Sequence, residues 1–415
     1  MSAATIAERA PWLHDPALRR LLTALTEGGE EARVAGGAVR NALLGEPVSD
    51  VDIATTVPPR ETMRRAEKAG MKAVPTGIEH GTVTVVSGKI PFEVTTLRAD
   101  IETDGRRAKV AFGRDWTRDA ERRDFTINAL YAEPDGRVID LVGGLADIES
   151  RTIRFIGDPE LRIREDFLRI LRFFRFFAWY GRGRPDADGL RACARLKEGL
   201  DGLSAERVWA ELKKTLAAPD PSRALLWMRQ ASVLTRILPE SEKWGIDAIH
   251  GLVEAERGFG WTPDPLLRLE TMVPPEPERM EGLARRLKLS KAEAARLTLW
   301  AMARTPAPDL GEGALARELY FGDPAALRDR LKHALAAART REDLEALARL
   351  SRLAAIAERW EKPRFPISGA DLVARGISPG AALGRVLKRL ESEWVESGFR
   401  LSREELLERA GRGQH

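Results

Sequence analysis

Cysteine, tyrosine and histidine are scarce in this chain: one Cys, three Tyr and five His in 415 residues. The single thiol, Cys193, excludes an intrachain disulfide and any cysteine-rich zinc site, as expected of a reducing compartment. No apolar run approaches the roughly 18 residues of a membrane span. The opening MSAATIAERAPWLHDP also lacks the basic flank and apolar stretch of a secretory signal. A soluble, cytoplasmic chain with no membrane partner is therefore expected. Excess charge is small as well, +4 from 67 Lys+Arg against 63 Asp+Glu. With a pI near 9.2 this is compatible with a polyanionic partner without identifying one.

The apolar content, 43%, is enough to bury real cores, and the length suggests a modular chain with domains of roughly 100 to 200 residues. From Arg33 to about Val142 the pattern is mixed α/β: Gly81–Ser87 (GTVTVVS) and Pro91–Thr96 (PFEVTT) read as strands, Pro59–Ala69 as helix. Beyond about Asp147 the β-rich alternation stops, and Arg-, Ala- and Leu-rich amphipathic helices are expected to the end. Breaks are expected at Gly181–Pro185, in the Pro-rich run Thr262–Pro277, and at Lys362–Pro366 before a C-terminal helical unit. No internal repeat or low-complexity tract is present.

The most informative stretch is Arg33–Pro58, RVAGGAVRNALLGEPVSDVDIATTVP. Gly36 and Gly37 precede a helix-like segment, Ala38–Leu44, so their N–H groups are placed to receive a triphosphate at its N-terminus, with Arg40 adding charge. An ordinary tight turn is the competing reading. Asp50 and Asp52 follow; in a strand they project on one face while Val51 and Ile53 face the core. Paired carboxylates of this kind suit magnesium, which completes its shell with water and phosphate oxygens. A capped loop over Ser49–Asp52 is the alternative. Glu93, on the later strand, is a candidate third carboxylate.

Two further blocks combine charge with apolar sequence. In Glu121–Leu130 (ERRDFTINAL), Arg123 can pair with phosphate or ribose, whereas Asp124 can cap the apolar helical run expected after it. In Ile153–Ala178, Gly157–Pro159 breaks the chain and Glu165–Ala178 reads as one helix carrying Asp166, Arg169, Arg172 and Arg175. Steps of three fall about 60° short of a turn. Asp166 and Arg169 are thus neighbours able to act on one ligand, presenting an acceptor beside planar donors as a base edge requires. Arg172 and Arg175 are directed to phosphate or to neighbouring elements. An intrahelical ion pair is the competing view, but charges among Phe and Leu on all sides need partners. Arg207 and Glu211, after the N-cap candidate Ser204, read as an i, i+4 pair stabilising the next helix. Gly376, Pro379, Gly380 and Gly384 ahead of Arg385, Lys388 and Arg389 suit either an RNA backbone contact or a solvated helix face.

Taken in order, GGAVRNALLG with DVD, ERRDFTINAL, EDFLR and ERVWAE resemble the metal-binding, ribose-contacting, nucleotide-selecting and following helix motifs of class II tRNA nucleotidyltransferases, the CCA-adding enzymes related to bacterial poly(A) polymerases. The resemblance covers most of the first 215 residues. It implies an α+β architecture: a catalytic head with a mixed sheet over residues 1–147, then an all-α neck (148–235), body (236–345) and tRNA-binding tail (346–415). It further implies that Asp50 and Asp52 hold Mg²⁺, that Gly37 and Arg40 contact the triphosphate, and that Arg123, Asp166, Arg169, Arg172 and Arg175 line the nucleotide site. The partners implied are CTP, ATP and the tRNA 3′ end, which would gain all or part of CCA without a nucleic-acid template. The family's flexible loop would be Arg98–Trp116, including Asp104, Gly105, Arg106 and Arg107. Asn41 departs from the Asp that the family commonly has there. Poly(A) polymerases carry a basic-aromatic signature where this chain has Pro75–Val83 (PTGIEHGTV), which favours tRNA as substrate; a poly(A) polymerase or a noncatalytic RNA-binding relative are the alternatives. The His14–Asp15 pair has no companions of the histidine-aspartate phosphohydrolase type and should sit where the chain leads into a helix. Oligomeric state is left open.

Overall fold

The computed structural model describes residues 4–104, 107–242 and 247–411. By internal contacts the chain divides into two compact units, Met1–Ile237 and Leu238–His415.

Unit 1 opens with α1 (Pro16–Thr26), whose N-terminus is capped by Asp15 accepting from the Ala17 amide at 2.7 Å. A seven-stranded sheet follows, in the order β3-β4-β5-β2-β1-β8-β9. Its strands are β1 (Ala32–Ala35), β2 (Asp52–Thr55), β3 (Lys72–Gly77), β4 (Thr82–Ser87), β5 (Ile90–Thr96), β8 (Leu130–Ala132) and β9 (Val138–Asp140). α2 (Gly37–Leu44) and α3 (Pro59–Lys68) leave β1 and β2 directly. In β4, Val83 and Val85 are fully buried while Thr82, Thr84 and Val86 are half-buried, the period-2 alternation of a strand with one face on a core. β2 runs antiparallel to β1 and parallel to β5, so it is a central strand.

β6 (Arg98–Asp104) and β7 (Arg107–Phe112) form a separate antiparallel ribbon with Asp104 opposite Arg107. The segment expected as a flexible loop is thus largely a hairpin running into α4 (Trp116–Glu121); Gly105 and Arg106 lie outside the described residues. α5 (Gly144–Ser150) closes the sheet region, and helices take over: α6 (Pro159–Glu165), α7 (Leu168–Tyr180), α8 (Ala187–Arg195) and α9 (Ala205–Leu216).

One expectation fails at the start of α7. The single helix read over Glu165–Ala178 is two, because Asp166 has extended backbone angles (φ −155°, ψ 108°) and accepts from the Leu168 amide at 3.1 Å. α7 is anchored by an aromatic cluster. Phe173, fully buried, stacks on Phe155 at 5.5 Å and lies near Phe125 and Phe174 at 6.3 and 5.3 Å. Phe173→Ala is expected to lower unfolding stability by about 3–5 kcal/mol in a denaturant titration, the cost of emptying a large aromatic site. A loss under about 1 kcal/mol would show that the cluster is not what fixes α7.

In unit 2 every described element is helical. The Pro-rich run Thr262–Pro277 is not only a break: it holds a short helix, Pro265–Glu270, whose first amides are accepted by Asp264. Arg268, fully buried there, pairs with Glu256 at 2.6 Å. The C-terminal unit has its own core around Tyr320, Leu372, Leu390, Trp394 and Leu406.

Candidate active site

The junction of β1 and α2 requires glycine at position 36. Gly36 has φ +64°, and a Cβ there would meet the Arg123 guanidinium at 3.1 Å and the Asn128 carbonyl at 3.3 Å. The chain can therefore turn sharply from β1 into α2 and aim the helix N-terminus at the sheet edge, where the positive end of the helix favours an anion. Register brings a carboxylate beside it. Ala35, the last residue of β1, pairs with Asp52, the first of β2.

Asp50 and Asp52 do not share a strand face as expected. β2 begins at Asp52; Asp50 lies in the preceding segment, exposed, with the Ser49 hydroxyl donating to it at 2.8 Å. Asp52 instead gains a neighbour from the sheet. Because Ile53 pairs with Val94 in parallel, Glu93 stands at the adjoining position of β5. Asp52 reaches solvent at the mouth of the cleft, yet the desolvation of its carboxyl by the surrounding walls, then the charges of Glu93 and Asp50, push it above its ordinary value, with Arg123 acting in the opposite direction. Such a concentration of negative charge on hard oxygen donors fits a divalent cation. Among the described residues no three acidic, histidine or cysteine side chains form a ready-made metal cage. Magnesium does not need one, since it takes one or two carboxylates and completes its shell with water and substrate phosphates.

A cavity of about 490 Å³ opens from this point and is lined by Gly36, Gly37, Arg40, Asp52, Arg123, Asp124, Asn128, Asp166, Leu168, Arg169, Arg172, Phe176 and Arg207. Of the residues singled out in the sequence, Gly37, Arg40, Asp52, Arg123, Asp166, Arg169 and Arg172 meet here, whereas Asp50 and Arg175 are not among the lining residues. Five guanidinium groups against three carboxylates leave the wall cationic. That balance suits a polyphosphate.

Each charged group is held by a specific partner. Arg40, only 8% exposed, donates to Asn128 Oδ1 at 2.5 Å, to Asn41 Oδ1 and to the Tyr180 hydroxyl at 2.9 Å, with its guanidinium over the Tyr180 ring at 4.2 Å. Burial pulls its pKa down. Arg123 is fixed by the buried Asp119 at 3.2 Å and donates to the Asn128 carbonyl at 3.1 Å. Asp124 caps no helix: only the 3-10 turn Thr126–Asn128 and then β8 follow, not the apolar helix expected. It is a buried hub accepting from the Phe125 amide, Asn128 Nδ2 and Arg172. Burial pushes the Asp124 carboxyl up, but the Arg172 charge and these hydrogen bonds outweigh it and hold the group below its usual range.

Asp166 and Arg169 face the same cavity without pairing with each other. Asp166 is bound by Arg207 at 2.7 Å; Arg169 is bound by Glu165 at 2.5 Å and donates to the Arg162 carbonyl at 2.8 Å. The Arg169 amide still donates to the Asp166 carbonyl at 3.0 Å, but the break before α7 turns the two side chains to different partners. Arg207 and Glu211, read as a pair within one helix, instead both reach from α9 to the preceding segment: Arg207 to Asp166, and Glu211 to Arg175 at 2.6 Å. Ser204 stands at the N-cap of α9, but its buried hydroxyl has no hydrogen-bond partner among the described residues. Asn128, Phe176 and Arg207 were missed as site residues. Asn128 had a signal, a lone amide in an apolar run; Tyr180, behind Arg40, had none.

Residues 32–154 match the family described as the poly A polymerase head domain, and 185–244 the family described as a probable RNA and SrmB-binding site of polymerase A. The mitochondrial CCA tRNA nucleotidyltransferase 1 of Mus musculus is 35% identical over 404 residues, covering 94% of this chain and 88% of its own. A CCA-adding enzyme of Streptococcus pneumoniae is 31% identical, covering 92% and 94%. The crystal structure of the Bacillus stearothermophilus CCA-adding enzyme in complex with CTP superposes with a TM-score of 0.71 at 26% identity, covering 96% of this chain and 98% of that one. No helix among the described residues is long and apolar enough to cross a membrane. With a mixed-sheet head, a helical remainder and near full-length identity above 30%, this chain belongs to the CCA-adding tRNA nucleotidyltransferase family.

Proposed function

We infer that this chain transfers nucleotidyl groups from CTP and ATP to the 3′ end of tRNA, building CCA without a nucleic-acid template and releasing pyrophosphate. The observation that supports this best is the convergence of Asp52, Arg40, Arg123, Asp166 and Arg169 on one cavity whose volume, about 490 Å³, suits a nucleotide.

In this reading the triphosphate lies at the N-terminus of α2, against Gly37, with Arg40, Arg123 and Arg172 neutralising its charge and Arg175 supporting them from behind. Asp52 and Asp50, with Glu93 beside them, would hold divalent cations, magnesium by their hard-oxygen chemistry. When bound, the metal supplies Lewis-acid activation of the attacking hydroxyl and charge neutralisation at the leaving group. Asp166 offers acceptors and Arg169 offers planar donors to the edge of the incoming base, replacing a template strand. The division into head (1–147), neck (148–235), body (236–345) and tail (346–415) is proposed on the same basis, with the tail meeting tRNA. The cytoplasm supplies the reducing setting expected of a lone buried thiol, and we take it as the location; the murine relative is named for the mitochondrion.

Incubation with labelled CTP and ATP and a tRNA lacking its 3′ end tests the reading. The expected product is longer by C, C and A and forms only with a divalent cation. Long A-only tails would instead identify a poly(A) polymerase, and RNA binding without any incorporation would identify a noncatalytic relative.

A further inference from the structure

Asn41 follows Arg40 in α2, and its contacts require an amide. Arg40 Nε and Nη2 donate to Asn41 Oδ1 at 3.1 and 2.9 Å, while Asn41 Nδ2 donates to the Pro47 carbonyl at 2.7 Å. A guanidinium only donates and a carbonyl only accepts, so the group between them must accept on one side and donate on the other. Asparagine does both. An ionised carboxylate can make only the first contact. The same logic fixes which way the amide points.

The two contacts have different consequences. Arg40 is buried, and its hydrogen-bond acceptors are all uncharged: Asn41, Asn128 and Tyr180. Asp124, whose charge reaches it, is already taken by Arg172. A neutral residue at 41 therefore leaves the Arg40 cation, which also faces Arg175, only partly compensated by Asp124 until an anion enters the cavity. Pro47 lies in the segment that leaves α2 after Gly45, a left-handed C-cap, and runs on to Asp50 and β2. Tethering Pro47 holds the start of that segment against the same side chain that orients Arg40.

We propose that Asn41 is a positioning residue of this chain, coupling the phosphate-binding Arg40 to the segment that delivers Asp50. The inference rests on the reading of Arg40 as a triphosphate contact. Two variants separate its parts. Asn41→Ala removes both contacts and adds no charge; Asn41→Asp removes the Pro47 tether and places a carboxylate against Arg40. Hydrogen exchange of the ligand-free protein is expected to be several-fold faster over residues 46–51 in both variants, since each has lost the tether. In a calorimetric titration with CTP and magnesium, Asn41→Asp is expected to bind about tenfold more weakly than the parent protein and Asn41→Ala about threefold more weakly, because only the first has its cation neutralised in advance. Unchanged exchange in both variants would overturn the tether, and CTP affinity retained by Asn41→Asp would overturn the charge role. A parent protein that binds no CTP at all would overturn the triphosphate reading of Arg40, and with it the coupling, while the exchange result would still decide whether Asn41 holds the segment.

Discussion

Asp52→Ala is expected to lower incorporation of both CMP and AMP by about three orders of magnitude or more, since the lost carboxylate accounts for several kcal/mol of charge stabilisation at the reacting phosphate. Affinity for tRNA should change little, because only one side chain of the nucleotide cavity is altered. The magnitude follows from position. Asp52 begins a central strand, adjoins the α2 N-terminus and gathers the charge of two other carboxylates. Asp50→Ala should be milder than Asp52→Ala, as Asp50 lies outside the strand and off the cavity wall. Single-turnover assays with saturating tRNA would measure both. Turnover retained in Asp52→Ala would defeat the assignment of the catalytic centre; equal losses in the two variants would show instead that the segment before β2 rearranges when substrates bind.

The second large effect is on choice of nucleotide. Arg169→Ala should reduce discrimination among the four nucleoside triphosphates about 10- to 100-fold, from the 1–3 kcal/mol typical of a polar contact left unmade. Its tRNA affinity should fall much less. Asp166 and Arg169 are each held in advance by a protein partner, Arg207 and Glu165, so their polar groups are positioned before a base arrives. Preorganised donors and acceptors are what allow a site to reject the wrong hydrogen-bonding edge. Competition assays with mixed triphosphates would read the ratio directly. A uniform loss of rate with unchanged selectivity would remove Arg169 from the template role and leave it a phosphate contact.

Much of this was legible in the residues themselves. The strand alternation of Thr82–Ser87, the helix of Pro59–Lys68 and the change to all-helical sequence after Val138–Asp140 follow from local periodicity, and the structure has each close to its expected bounds. The Gly-Gly before an apolar helix and the second Asp of the Asp-x-Asp after it mark one end of the cavity, where few residue types suit a sharp turn or hard-oxygen chemistry. Gly36, Gly37, Arg40 and Asp52 meet accordingly. The errors were of another kind. A helix through Asp166 is credible from spacing alone, since nothing in a three-residue repeat of charges reveals that the aspartate will end α6 in extended backbone and bond the Leu168 amide.

By itself the sequence determined where the sheet ends, which segments are helical and which side chains are chemically able to meet a nucleotide; these depend on neighbours one to four positions away, which a linear pattern encodes. Tertiary structure alone decided the pairing of the charges. Asp124 with Arg172, Asp166 with Arg207 and Arg175 with Glu211 join residues from separate elements, and full or partial burial in each case favours a partner that local spacing does not name. The packing of α7 against α9 and against the turn after α4 sets those distances, and through them which guanidinium groups face the cavity and which stay behind to support it.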